Sequence, residues 1–302
     1  MELIALNSGL PCPALEDALE SWLDRRRGIE RRSEKTIRAN RHDVQRFIRF
    51  LNAKTQGRED ARASLNELEH YIASLKTGGA AVNRAICSLR SFFEFLARHR
   101  LIEVNVAKEL LKVPVLEPAR WTPRAAEVQL LIAGAETARD KAMISLMAYA
   151  GLRRSEIRNL DFYDVEGLDM LGSCVIAVRK AKGNKTRMLP LNETATKALE
   201  EHLILANFKS DGPLFPHEDG SGQRLTADRI TQLVKRLAKR LGLNRGITPH
   251  SLRRWFATTL DDKGGDILVI SRLLGHRNIQ TTADCYIKPN PGKLRKMVNE
   301  LD

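Results

Sequence analysis

A chain of 302 residues has room for two domains with their own cores, and a formal charge of +13 suits a polyanionic partner, nucleic acid before any other. Its four cysteines, Cys12, Cys87, Cys174 and Cys285, are scattered without a C-x-x-C pair, which argues against a disulfide framework or a zinc knuckle. The N-terminus MELIALNSGLPCP has no cationic start leading into a long apolar run, and no stretch reaches the roughly 18 apolar residues of a membrane span, so a cytoplasmic protein is expected.

The basic excess is spread over both halves of the chain, as two domains facing a phosphate backbone would require. From Pro13 to Leu111 the pattern predicts helices throughout. Leu15, Leu19, Trp22 and Leu23 recur at helical spacing. A second helix follows Ser33, a capping residue, with Ile37, Val44, Phe47, Ile48 and Leu51 on one face and Lys35, Arg38, Arg41 and Arg49 on the other. After Gly78-Gly79, Val82, Ile86, Leu89, Phe92, Phe93 and Leu96 form another stripe, with Asn83, Arg84, Arg90 and Ser91 away from it. A solvated surface accounts for either cationic face alone. Two of them in one small basic bundle favour contact with DNA. Residues 1–112 are therefore expected to be a helical DNA-binding domain. The segment KVPVLEPARWTPR, whose prolines restrict themselves and their predecessors, predicts an extended linker over 113–123.

The second domain, 124–302, opens with a helix near Pro123. In RDKAMISLMAYAGLRRSEIRNL the residues Ala142, Leu146 and Tyr149 mark an apolar stripe, Gly151 ends that helix, and Ser155-Glu156-Ile157 resume the period. Arg153 falls in the turn between, close to a helix start where backbone donors favour phosphate. Cys174, Ile176 and Val178 alternate as in a half-buried strand, Gly183-Asn184 turns the chain, and Thr186 to Leu191 return. Lys182 stands at the tip, flanked by Lys180 and Lys185; by itself a hairpin lysine is a solvated charge. Helices fill Thr194 to Leu243 around a Pro/Gly-rich loop, and His202 and His217, which have no motif around them, are expected on the surface. Thr248 caps a helix opening at Pro249. On it His250 and Arg253 share one face while Leu252, Phe256 and Leu260 bury another, leaving imidazole and guanidinium to face a ligand. A short helix from Asp266 to Leu274 stops at Gly275 and delivers His276, with Tyr286 about three turns later. In the tail, Leu294, Met297, Val298 and Leu301 form one more apolar stripe beyond Pro291-Gly292.

Each of these side chains has an ordinary explanation when taken alone. In this order they resemble the tyrosine recombinases, the phage-integrase family: Gly-Leu-Arg-x-Ser-Glu with Arg153 and Glu156, A-K-G-N-K-x-R-x-L-P-L with Lys182, then His250-x-x-Arg253, Gly-His at His276, and Tyr286. The likeness covers the whole chain and is strongest to the short, Xer-type members. It implies a mainly α fold with a small β-hairpin (α+β), a helical, SAM-like core-binding domain ahead of a mostly helical catalytic domain. It also implies a site-specific recombinase working through a 3′-phosphotyrosine, with Arg153, Lys182, His250, Arg253, His276 and Tyr286 catalytic and Glu156 in support. His276 stands where some members carry tryptophan, which suits packing and hydrogen bonding better than proton transfer. The resemblance calls for no metal and no cofactor. Its partners are a double-stranded DNA site and further protomers, four in the synapse, alone or with a paralogous recombinase, linked through a C-terminal exchange helix. Lys35, Arg38, Arg41, Arg49, Arg84 and Arg90 are the expected DNA contacts of the first domain. The competing readings are a type IB topoisomerase, which shares the nucleophile, and a DNA-binding regulator that kept the fold without catalysis.

Overall fold

The apolar stripes of the N-terminal third close on one another. In the computed structural model, which describes residues 12–55, 63–115, 121–167, 174–179, 186–206, 212–243, 246–276 and 278–286, they lie on α1 (Cys12–Gly28), α2 (Glu34–Thr55), α3 (Leu65–Ser74) and α4 (Gly79–Arg98). Trp22, Phe47, Tyr71, Phe92 and Phe93 are at most 2% exposed and meet at ring-centroid distances of 5.2–6.0 Å, edge-on or tilted, as aromatic quadrupoles prefer. Ser33 caps α2 by accepting from the Thr36 amide, and Ser64 closes a capping box with Glu67 on α3.

Polar groups then fix how these helices meet. Asp43, 3% exposed, accepts both arms of Arg84 at 2.9 and 3.0 Å and the Ser88 hydroxyl at 2.9 Å. Arg41 forks onto Glu20 of α1, and Arg90 donates to the Leu110 carbonyl. Three of the cations read as a DNA-facing surface thus have partners inside this unit, whereas Lys35, Arg38 and Arg49 are exposed on α2. The Asn83 side chain exchanges two 2.9 Å hydrogen bonds with the backbone of Val113, which holds the start of the expected linker against α4. The chain divides into two units further on, Met1–Pro118 and Ala119–Asp302. Asp43→Ala would strand the Arg84 guanidinium and the Ser88 hydroxyl. It is expected to remove about 2 kcal/mol from the first unit, read as a lower urea midpoint of the helical circular-dichroism signal.

The second unit is built around α6 (Ala138–Tyr149), with α5 (Ala125–Ala133), α8 (Glu193–Leu205) and α10 (Pro249–Asp262) packed on it. A single apolar stripe was the expectation for α6; instead Ala142 through Ala148 are all buried, the mark of a helix at the centre of a domain. Tyr149 meets the Trp255 ring edge-on at 5.5 Å. After α7 (Arg154–Asn159), a single 3₁₀ turn leads to β1 (Val165–Glu166), then β2 (Val175–Val178) and β3 (Arg187–Pro190) form an antiparallel sheet in the order β1-β2-β3. The register pairs Val165 with Ile176 and Val178 with Arg187. Ile176, Ala177 and Val178 are all buried, so β2 is covered on both faces and the half-buried strand expected from alternation is corrected. The remaining described helices are α9 (Ala227–Arg240), α11 (Ile267–Leu274) and α12 (Gln280–Tyr286). His202 is corrected too: it is 5% exposed, its Nε2 lies 2.8 Å from the Leu214 carbonyl, and its ring stacks on Phe215. Among the described residues, no helix is long and apolar enough to cross a membrane.

Candidate active site

Two glycines shape the backbone that receives Arg253. Gly151 follows α6 at φ +62°, a left-handed conformation, and a Cβ there would lie 2.5 Å from the Phe256 ring. Gly275 ends α11 in the left-handed region as the helix C-cap. Between these turns Arg253, on α10, is 2% exposed, held against the backbone while it borders the same cavity as His250. Its Nη1 donates to the Gly151 carbonyl at 2.5 Å and its Nη2 to the Leu274 carbonyl at 2.6 Å, which removes the cost of burying the charge. The helix itself begins as read, with Thr248 and Ser251 forming a capping box and proline in the first turn.

Arg253 Nη2 also lies 3.0 Å from His276 Nε2. A guanidinium can only donate, so Nε2 accepts, the ring proton sits on Nδ1, and Nδ1 donates to Thr282 Oγ1 at 2.8 Å. Burial first, then the charges of Arg253, Arg153 and Arg187, push the imidazole down to about 4 against the opposing pull of Glu156. His276 is thus neutral at pH 7 and joins Arg253 to α12. Thr282 is fully buried, and Tyr286 follows it four residues later as the last residue of that helix.

Glu156 is the centre of the charge arrangement. Its Oε2 accepts from the Arg153 amide at 2.8 Å and its Oε1 from Arg153 Nη1 at 2.8 Å, because Arg153 is the N-cap of α7 and Glu156 its third residue. Arg187 forks onto both oxygens at 2.9 Å, and Arg253 Nη1 lies 3.7 Å away. Burial alone would push this carboxyl up. The Arg187 fork, with the Arg153 amide and charge, outweighs burial and brings it down to about 2. Arg154, next in sequence, turns instead to Asp228 and Thr231 of α9, at 3.0 and 2.8 Å.

Arg153, Arg154, Ser155, Thr231, His250 and Arg253 line a cavity of about 380 Å³. It is cationic, it opens to solvent beside the exposed His250, and it is wide enough for a phosphate. Of the residues read from sequence, Arg153, His250 and Arg253 line the cavity, Glu156 and His276 bond to those arginines, and the backbone of Tyr286 is tied in through α12. Lys182 and its neighbours Lys180 and Lys185 lie outside the described residues, between β2 and β3, as does the tail from Pro291 to Asp302. The sequence reading missed Arg187 and Thr282. Arg187 stands in the same K-x-R-x-L-P-L stretch as the hairpin lysines, a signal that could have found it; Thr282 carries none.

Comparison with known proteins places this geometry. The Phage integrase family model matches residues 123–293, and the model of the phage integrase N-terminal SAM-like domain matches residues 19–100. Tyrosine recombinase XerC of Herpetosiphon aurantiacus is 33% identical over 264 residues, covering 82% of this chain and 82% of that protein. Tyrosine recombinase XerD of Oceanobacillus iheyensis is 28% identical over 299 residues, 94% of this chain and 97% of that protein. Among solved structures, XerH site-specific recombinase bound to difH substrate in a pre-cleavage complex shares the fold, with a TM-score of 0.72 at 20% identity over 94% of this chain and 84% of that one. The arginine pair around Glu156 and the tyrosine-bearing helix thus lie within the matched segment of a chain that belongs to the phage integrase family of tyrosine recombinases.

Proposed function

We infer that this protein is a site-specific DNA recombinase that cuts and rejoins DNA through a 3′-phosphotyrosine. The observation that carries the mechanism is the convergence of Arg153, His250 and Arg253 on one cavity large enough for a phosphate. A free tyrosine has a pKa near about 10 and is a weak nucleophile until cations favour its phenolate or a base takes its proton. Arg153 and Arg253 hold the scissile phosphate by two non-bridging oxygens and stabilise the charge of the pentacoordinate transition state. The Tyr286 oxygen bonds to phosphorus as the bond to the 5′-oxygen breaks. His250 assists with the tyrosine proton, and Lys182 gives a proton to the leaving 5′-oxygen. His276, neutral and already accepting from Arg253, orients that guanidinium. Religation reverses these steps with another 5′-hydroxyl and needs no nucleotide.

In the first unit, the exposed Lys35, Arg38 and Arg49 of α2 face the DNA backbone, while Arg41, Arg84 and Arg90 act first as internal anchors. Recombination needs four strand cuts across two duplexes. Each chain offers one Tyr286, so four protomers assemble on the DNA, joined through the C-terminal tail.

Since arginines take the place of a cation, cleavage of a nicked suicide duplex is expected to proceed unchanged in EDTA. Lys182→Ala should slow it by about a hundredfold, and a 5′-bridging phosphorothiolate, whose leaving group needs no proton, should restore the rate. No rescue would transfer the acid role to Lys180 or Lys185, or leave Lys182 as a DNA contact only.

A further inference from the structure

Arg187 has no part in the steps above, yet its side chain is only 11% exposed and each of its three nitrogens is committed. Nη1 and Nη2 fork onto the two oxygens of Glu156 at 2.9 Å, and Nε donates to the Leu273 carbonyl at 2.9 Å. Three of its five N–H donors are thus used inside the fold, and Arg187 is not among the residues that line the cavity. What it does instead follows from what Glu156 would do without it. The carboxylate would keep Arg153 at 2.8 Å and Arg253 at 3.7 Å as its nearest cations. Those are the two guanidiniums that DNA needs, and an unneutralised buried carboxylate would compete for them.

The third arm reaches a different segment, the end of α11. Leu273 lies in the last turn of α11, directly before the turn of Gly275 and His276, and a Cβ on Gly275 would sit 2.7 Å from Arg187 Nη1. Arg187 therefore lies beneath the turn that sets His276 between Arg253 and Thr282. Because Arg187 opens β3, opposite Val178, one side chain links the β2–β3 pair, Glu156 on α7 and the α11–α12 segment that ends at Tyr286.

We propose that Arg187 is a positioning residue for strand cleavage: it saturates Glu156 and pins the end of α11, so that Arg153 and Arg253 are presented to the scissile phosphate instead of to the carboxylate. This rests on the recombinase reading of the site.

The test compares the parent with Arg187→Met, Arg187→Lys, Glu156→Gln and the Met/Gln double variant. Each is assayed on a nicked duplex recovered from a random-sequence library by binding to the parent protein. Arg187→Met should bind that duplex within about threefold of the parent but form covalent complex about a hundredfold more slowly at saturating DNA, the scale of a misplaced catalytic group. Arg187→Lys keeps the charge but loses the fork, and should be at least about tenfold slow; it also decides the matter if the methionine variant fails to fold by circular dichroism. With Glu156→Gln already in place, Arg187→Met should cost less than about tenfold more, because the competing charge has gone. A cleavage rate within about threefold of the parent, a loss that appears only as weaker binding, or an equal loss in the glutamine background would overturn the proposal. A parent that forms no covalent complex would instead sink the recombinase reading, and the role of Arg187 with it.

Discussion

Tyr286→Phe is expected to bind its DNA site as the parent does and to form no covalent complex at all, because the substitution removes only the phenol oxygen. The loss should be complete, since the other three tyrosines are held elsewhere in the fold. The chain has four tyrosines. Tyr71 lies in the aromatic core of the first unit, 2% exposed, and burial pushes its phenol up to about 12. Tyr149 packs against Trp255, and burial raises it as well. Tyr163 is exposed, but the Arg179 guanidinium lies 3.8 Å over its ring and its hydroxyl is raised by a hydrogen bond to Asp161. Denaturing gels of the parent and variant on a nicked suicide duplex, with mass spectrometry of the tyrosine-linked peptide, make the comparison. A covalent species that persists in the variant, or that maps to Tyr71, Tyr149 or Tyr163, would overturn the assignment of the nucleophile.

Helix ends were legible from sequence because capping is local. Thr248 before Pro249 and Gly275 after Leu274 each act within a turn of their own helix, and both stand where the residue types put them. Arg153 and Glu156 were legible only through the Gly-Leu-Arg-x-Ser-Glu motif; that they are the first and fourth residues of one capping arrangement came from the fold. Arg253 was only half legible. Helical periodicity separates it from Leu252 and Phe256, but its burial is imposed by carbonyls of Gly151 and Leu274 from other segments, and no helical wheel contains those. His202 failed as a surface residue in the same way, since its partners Leu214 and Phe215 belong to a loop whose prolines and glycines suggested only irregular chain. The arginines of the first unit show the limit from the other side. Arg84 and Arg41 lie off the apolar stripe, as read, yet charge pattern alone does not reveal that Asp43 and Glu20 stand opposite them. Pair interactions across 31 residues, such as Arg187 with Glu156, are a property of the fold and not of any window of sequence.

Glu156→Gln should produce the largest loss of stability in the second unit, and the loss should depend on pH in a defined direction. The folded-state carboxyl lies at about 2 against an ordinary 4.5, so the folded chain binds this proton more weakly than the unfolded chain does. Its contribution is complete above the ordinary value, declines as the pH falls from there toward about 2, and is absent below. A depression of that size corresponds to about 3 kcal/mol, and the side chain, 13% exposed, is buried enough for most of that to be realised. Glutamine keeps the shape but turns an N–H₂ group toward donors of Arg153 or Arg187, leaving at least one of those bonds unmade. At pH 7 the variant should therefore unfold about 3 kcal/mol more easily in urea, with the midpoint followed by Trp255 and Trp121 fluorescence in a background where Trp22 is replaced by Phe. Between pH 5 and pH 2, a range set by the ordinary and folded values, the parent should lose this advantage and the two curves converge. A gap that stays constant to pH 2 would mean that Glu156 supports the fold by shape alone. The arginines around it would then be held by something other than its charge, and the arrangement that presents Arg153 and Arg253 to phosphate would need a different origin.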